Sequence, residues 1–594
     1  MRNAPPGSPC GSRPPAAPPR SSPSPPPDAP PRSAPRAPSG ANPPTGDRDD
    51  PSPDGLRLPH MRRLLTSVVA LLVVLPVASA QADRKLESTF QDDPRVLSAK
   101  PETRDDALDQ MARLGADRIR VSVFWERFAP DAASTTRPAG FVATDPNAYP
   151  ASAWRILDEV IAGIHRRGMA VNLNPTGPIP LWAGSGFFDA AVNTVTNPSA
   201  EEFGAFMTAL ARRYDGTFVP AGASAPLPRI DYWTIWNEPN QGGWLSPQWS
   251  SLGKDPVEAS PARYRDLVRH AYAALVGTGH TTASDTILIG ETAPKGIPNP
   301  KRLTNAMQPM RFLRRVYCLD DRLRILKGGD ATVVGCAADP DPATFVAQNP
   351  GLFEMTGYAH HPYELLRRPD SAPSSPTQEV TTANLALLSD YLDRIMARYG
   401  SRRRDIPLYL TEFGYQTNPP DPFAPSPAKQ ASYINHAEYI AWRNKRVRTL
   451  AQFLLYDDAP IPGGGDDRWG TFQSGLRWGE GSGSREGKRK PAYAAYRTPI
   501  HLPRRTVSAK SRKLRIWGRI RTADARTAYT VEVRTGSKGR YRRLKSYRTD
   551  GYGFAWRIVR IPKGAAKARK GAVRIAWKDG SRTVRSRGVS FRVR

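Results

Sequence analysis

Two glutamates stand where short apolar runs give out. Glu238 follows Ile230–Trp236 in the string Trp236-Asn237-Glu238-Pro239-Asn240, and Glu412 follows Leu408–Thr411 in Leu410-Thr411-Glu412-Phe413-Gly414. An unpaired charge at the end of a buried apolar segment is costly, so each carboxyl calls for a reason beyond solubility. Alone, either suits a salt bridge with an arginine. Together they match what cleaving a glycosidic bond with retention requires. One carboxylic acid protonates the leaving oxygen and one carboxylate attacks the anomeric carbon, about 5–5.5 Å apart.

That spacing needs a rigid frame. Between about residues 83 and 499 short continuous apolar runs alternate with longer amphipathic ones, the pattern of a parallel sheet with helical crossovers. The expected strands are Ser88–Gln91, Arg118–Phe124, Ala170–Asn174, Ile230–Trp236, Ile287–Gly290, Met355–His360, Leu408–Thr411 and Thr449–Tyr456. The expected helices include Arg104–Leu114, Ser152–Arg167, Ala200–Tyr214, Pro261–Val276, Thr381–Tyr399 and Lys429–Asn444. Repeated eight times, this predicts an α/β fold, a closed (β/α)8 barrel. Its length, about 410 residues against the usual ~250, implies loop insertions at Pro130–Pro150, Pro294–Pro309 and Gly328–Asn349. Catalytic groups of such a barrel lie at the C-terminal ends of the strands, which is where both glutamates fall, after strands four and seven.

The two motifs resemble those of glycoside hydrolase clan A, the retaining barrel families that include cellulases, mannanases, xylanases and β-xylosidases. The resemblance implies Glu238 as acid/base, with Asn237 beside it, and Glu412 as nucleophile. Arg120 in Ile119-Arg120-Val121-Ser122-Val123 resembles the strand-two arginine that keeps the nucleophile ionised, although taken singly it is equally an ordinary buried ion-pair member. His361-Pro362-Tyr363 resembles the His-x-Tyr after strand six, in which the tyrosine bonds to the nucleophile and the histidine faces the sugar. The chain departs from cellulase family 5 in Asn174-Pro175-Thr176, where a His often follows strand three, and in Tyr456, where many clan members have Trp. Trp469 is then the candidate replacement. Pro178-Ile179-Pro180-Leu181-Trp182 is closer to β-xylosidase families such as family 39. Of the loop tryptophans Trp125, Trp182, Trp244, Trp249, Trp469 and Trp478, about half are expected to line a sugar-binding cleft. The same residues would serve a transglycosylase. A non-catalytic, wall-associated carbohydrate-binding protein on a barrel scaffold is the alternative from another class.

The remainder of the chain reads as appendages. Residues 1–60 hold 20 of the 61 prolines and almost no large apolar side chains, a composition that cannot bury a core. Met61-Arg62-Arg63, the apolar run Leu64–Val77 and Ala78-Ser79-Ala80 have the layout of a signal peptide over 61–80, cleaved near Gln81, with Met61 as the expected true start. The run is short for a membrane span, and the expected location is extracellular, with cell-wall association through the C-terminal segment. An exporting compartment makes a Cys318–Cys336 disulfide plausible. No Cys/His grouping has zinc spacing, and neither metal nor cofactor is expected.

The net charge of +31 is not spread evenly, because residues 500–594 carry 29 Lys/Arg against four Asp/Glu. Short alternating segments there (Lys513–Ile520, Ala528–Arg534, Ala555–Ile561, Ala572–Trp577, Val589–Val593) predict a small all-β sandwich. Its charge suits an acidic cell-wall polymer or mere solubility. Its aromatics Trp517, Tyr541, Tyr547, Tyr552, Trp556 and Trp577 suit a sugar platform or a core. No nucleic-acid motif accompanies the charge.

Overall fold

The computed structural model describes residues 85–521 and 526–594. The expected leader and signal peptide lie outside these residues. Among the described residues no helix is long and apolar enough to cross a membrane.

Eight parallel strands close into a barrel: β1 (Glu87–Gln91), β2 (Arg118–Phe124), β3 (Ala170–Thr176), β4 (Tyr232–Thr234), β5 (Thr286–Thr292), β6 (Gly357–His360), β7 (Leu408–Leu410) and β8 (Val447–Phe453). Each pairs with its neighbour in sequence, and β1 closes the ring on β8 with Ser88 opposite Leu450. The expected (β/α)8 architecture is therefore present. Its helices are α1 (Pro101–Leu114), α2 (Ala151–Arg166), α3 (Ala200–Arg213), α4 (Ser260–Gly277), α5 (Pro309–Val316), α6 (Leu385–Arg398), α7 (Pro427–Arg443) and α8 (Pro491–Arg497), with shorter turns between.

Local chemistry explains where elements start and stop. The Ser199 hydroxyl accepts from the backbone N–H of Glu202 and caps α3, and two glutamates in its first turn complement the helix dipole. Helix α6 begins at Leu385 rather than Thr381 because the Asn384 side chain folds back to accept from the Thr381 N–H at 2.8 Å. Strand β8 ends at Phe453 rather than Tyr456. Leu454 turns the chain at φ 72°, and the next two N–H groups, of Leu455 and Tyr456, donate to the buried Asp92 carboxylate. Strand β4 keeps three residues of the expected seven, and past its end Trp236 lies in the left-handed region, at φ 67°.

The C-terminal strands form two sheets. The first is β9 (Ile500–His501), β11 (Lys513–Arg519) and β14 (Phe554–Arg560). The second has the order β10 (Thr506–Val507), β17 (Val589–Val593), β15 (Lys570–Asp579), β12 (Ala528–Thr535) and β13 (Arg542–Arg548), with β16 (Arg582–Arg585) paired to β15. Leu514, Ile516 and Val559 of the first sheet share a core with Val531, Val573 and Ile575 of the second. The sequence pattern missed the two-residue strands β9 and β10 and also β13 and β16, whose basic residues hide the alternation. Trp517 and Trp577 are buried core rather than a sugar platform, and of the six aromatics Tyr552 is the most open, at 43% exposure. The sheets also pack on the barrel, since Trp517 and Phe554 join Trp442 of α7 in the main core.

Cys318 and Cys336 are bonded across a separation of 18 residues, tying the end of α5 to the following insertion. A loop of this length is worth about 3 kcal/mol of unfolding free energy. Replacing both cysteines with serine is expected to lower stability by that amount in urea titration. Reductant should then destabilise the native chain and leave the double variant unchanged.

Candidate active site

Strand periodicity decides what enters the barrel. Along β2, Ile119, Val121 and Val123 pack outward in the hydrophobic core, so Arg118, Arg120 and Ser122 point inward. Arg120 is fully buried there. Its Nη1 donates to Gln91 Oε1 at 2.5 Å and Glu412 Oε1 at 2.8 Å. Its Nη2 donates to Asn174 Oδ1 (2.8 Å), Asn237 Oδ1 (2.7 Å) and Glu291 Oε2 (2.9 Å). One guanidinium thus joins residues carried at the ends of β1, β3, β4, β5 and β7.

The two sequence-derived glutamates meet above it. Tyr363 Oη donates to Glu412 Oε2 at 3.0 Å. His361 Nδ1 lies 2.8 Å from Glu238 Oε1 and 3.6 Å from Glu412 Oε2. An oxygen of Glu238, an oxygen of Glu412 and a nitrogen of His361 all fall within 4.8 Å of one another. Glu238 is the more open of the two carboxyls, with its side chain 18% exposed against 10% for Glu412. His361, expected to face a sugar, is fully buried, and its Nε2 reaches Glu291 Oε2 at 2.5 Å.

Burial and charge compete throughout this cluster. Burial is the largest influence on Glu412 and leaves its carboxyl above the ordinary 4.5, although His361 and Arg120 pull it down. The attraction of Arg120 expected from the sequence therefore does not by itself set the balance. Burial also works against the ionised form of Glu291, but Arg120 and His361 outweigh it and hold that carboxyl below its ordinary value. Burial disfavours the imidazolium of His361, yet the negative charges of Glu412 and Glu291 raise its pKa to about 10. The adjacent His360 behaves oppositely. Burial lowers it to about 3, and its ring lies within hydrogen-bonding reach of Thr292 and the Val380 carbonyl.

The backbone around these side chains is held in unusual shapes. Trp236, Glu238 and Glu291 all have positive φ, at 67°, 37° and 48°. Such residues persist where neighbours over-determine them. Here the Glu238 N–H donates to the Glu291 carbonyl at 3.0 Å, and Asn174 Nδ2 donates to the carbonyls of Thr234 and Trp236. Asn174, a departure from the expected His, thus anchors the turn that presents Glu238. Asn240 is a further anchor: its Oδ1 accepts from Ala293 N–H and its Nδ2 donates to the carbonyl of Met307.

The tryptophans divide. Trp125 is 1% exposed, stacked on Phe206 and edge-on to Trp182 in an aromatic cluster, not on an open rim. Trp182 is also buried, with Nε1 bonded to the Pro130 carbonyl. Trp249 and Trp478 are buried as well, whereas Trp244 and Trp469 are half-buried, the latter under the Arg468 guanidinium. Tyr456 turns outward, sandwiched near Arg95, with its hydroxyl accepting from Gln110 of α1. The half-buried Phe472 packs near Tyr363 together with Phe413 and Phe453, a wall without any periodic signature in the sequence. Glu291 was missed although it ends the apolar run Thr286–Gly290 just as Glu238 and Glu412 end theirs.

The family model described as Cellulase (glycosyl hydrolase family 5) matches residues 88–446. The chain belongs to glycosyl hydrolase family 5. It is a glycosidase acting on O-glycosyl compounds. Among solved structures, this family 5 chain is similar to GH5_18 from Streptomyces cattleya in complex with GlcNAc, at 16% identity over 72% of this chain and 84% of that one, TM-score 0.40. It is also similar to the exo-beta-1,4-mannosidase Op5Man5 from Opitutaceae bacterium strain TAV5, at 15% identity over 70% of this chain and 59% of that one, TM-score 0.37. No curated protein sequence matches it.

Removing the guanidinium would leave Glu291 and Glu412 buried without their shared partner. Arg120→Gln is expected to cost about 3–5 kcal/mol, measured by chemical denaturation.

Proposed function

We propose that this family 5 glycosidase hydrolyses a β-linked glycan or glycoside with net retention, with Glu412 as nucleophile and Glu238 as acid/base. The observation that carries the reading is the approach of the two carboxyls to within 4.8 Å. That is close to the ~5–5.5 Å of retaining enzymes and well short of the ~6.5–9.5 Å that an inverting enzyme needs for its water.

In the first step a Glu412 oxygen attacks the anomeric carbon while the Glu238 proton passes to the departing oxygen, so the leaving group departs as an alcohol. Arg120 and Tyr363 each hold one Glu412 oxygen and so fix the direction of attack. Asn237 spends its carbonyl on Arg120, which leaves its amide N–H groups for the sugar's 2-hydroxyl. Forming the ester removes the charge of Glu412, and the loss of that negative field favours ionised Glu238. In the second step Glu238 takes a proton from water, the hydroxide oxygen attacks the anomeric carbon, and Glu412 leaves as a carboxylate. A sugar hydroxyl in place of that water gives transglycosylation.

Export and binding of an anionic polymer complete the proposal. The disulfide supports an oxidising destination. The edge strand β13 supports the second, because Arg542, Arg543, Lys545 and Arg548 lie exposed along it. Retention on immobilised polyuronate should fall when Arg542, Arg543 and Lys545 are replaced by serine. Equal retention would leave these cations a solubilising role.

An activated 2-fluoro glycoside should label Glu412, found by mass spectrometry of peptides, and Glu412→Gln should abolish turnover. Glu238→Gln should lower the rate ~10²–10⁴-fold for poor leaving groups. Failure of labelling across a panel of sugars, with native protein inert on aryl β-glycosides and polysaccharides, would favour a binding role. Because Glu412 must be ionised to attack and burial holds it above 4.5, kcat/KM should fall on acidification through a value above 4.5.

A further inference from the structure

The mechanism above leaves one buried charge unused. Glu291, at the end of β5, is entirely hidden from solvent, with His361 against it. Its Oε2 lies 2.9 Å from Arg120 Nη2 and 2.5 Å from His361 Nε2. The opposite nitrogen of the same ring, Nδ1, lies 2.8 Å from Glu238 Oε1. An imidazole whose two nitrogens both meet carboxyl oxygens must share a proton at each contact, because two bare acceptors would repel. The guanidinium beside Glu291 favours that carboxyl as the ionised acceptor, which puts the Nε2 proton on the ring. Nδ1 is then left to share a proton with the acid/base carboxyl.

We propose that Glu291 is a positioning residue that accepts the Nε2–H of His361 and so holds the ring as a protonated donor toward Glu238. A buried Glu238–His361–Glu291 line then sets where the acid/base proton rests. The assignment of Glu238 rests on the reading given above, whereas the state of His361 does not. When Glu238 yields its proton to the leaving oxygen, the Nδ1–H stays aimed at the new carboxylate and steadies it. When Glu238 takes a proton from water, the same contact returns to its starting state. Glu291 also shares Arg120 with Glu412, so both catalytic carboxyls lean on it.

The other ionisable groups around the line are Arg120 from β2, Tyr363 and His360 after or on β6, and Glu412 after β7. Tyr232 of β4, Tyr358 of β6 and Tyr264 of α4 also sense Glu291, and burial keeps their hydroxyls protonated. Asp93, beyond β1, acts on Arg120. None of these replaces the Nε2 acceptor.

The test is the protonation of His361, read from side-chain 15N shifts in histidine-labelled full-length protein and assigned by comparison with His361→Asn. In the native chain both ring nitrogens should carry protons at pH 8. In Glu291→Gln the ring should lose one at a pH lower by a unit or more. A neutral His361 in the native protein at pH 8 overturns the proposal even where the variant does not fold. So does an unchanged titration in a folded Glu291→Gln. Kinetics give the second readout: Glu291→Gln should lower kcat/KM ~10²-fold for glycosides with poor leaving groups and much less for activated aryl glycosides, with the alkaline limb displaced. A purely structural role would slow both substrate classes equally and leave the limbs in place. Native protein inert on every glycoside would defeat the hydrolytic reading, while the 15N result would still decide the role of Glu291.

Discussion

Arg120 is the fixed point of this molecule. A guanidinium fully removed from water must recover its hydration from the protein, and only a closed ring of strands brings enough acceptors to one place. Gln91, Asn174, Asn237, Glu291 and Glu412 supply them from five different strand ends. The planar fork also reads geometry, since each Nη faces its own set of oxygens. The distance between barrel strands is thereby converted into the placement of Glu412 and Asn237. The barrel is what allows the arginine to be buried, and the arginine in turn orders the rim of the barrel.

The other cation, His361, shares this load. Arg120 and a protonated His361 offset the negative charges of Glu291 and Glu412. Phe413, Phe453 and Phe472 pack around Tyr363 beside this cluster, and burial gives each charge in it more weight than it would have in water. Strained φ values at Glu238 and Glu291 are tolerated because the two strand ends are bonded to each other through the backbone.

The barrel and the glutamate pair were legible because both rest on period and position: apolar strands of regular spacing, with a carboxyl ending two of them. Helix bodies were legible for the same reason, and their ends were displaced by side chains such as Asn384 and Asp92 that act across a few residues. Glu291 obeyed the rule that found Glu238 and Glu412, but no recognisable string surrounds it. Trp125 shows the opposite failure. A loop tryptophan looks the same in sequence whether it faces a cleft or a core, and only packing against Phe206 decides. The basic tail misled in a third way, because charge counts do not show which cations are engaged. Arg521 and Arg519 reach Glu438 on α7, and Arg587 donates to Asn435 and the Ile500 carbonyl. The free charge is concentrated on strands such as β13.

The side chain of Asn240 gives the rim a modular character. It grips Ala293 and Met307, the two sides of the insertion after β5, while sitting two residues from Glu238. The insertion is therefore fastened at its neck and again at Leu303, whose carbonyl accepts from the N–H groups of Gln248 and Trp249, so that only its exposed tip, residues 297–299, is open to change without pulling on Glu238. Changes at that tip leave the strand-end carboxyls where they are, as a tool handle keeps its grip while the bit is exchanged.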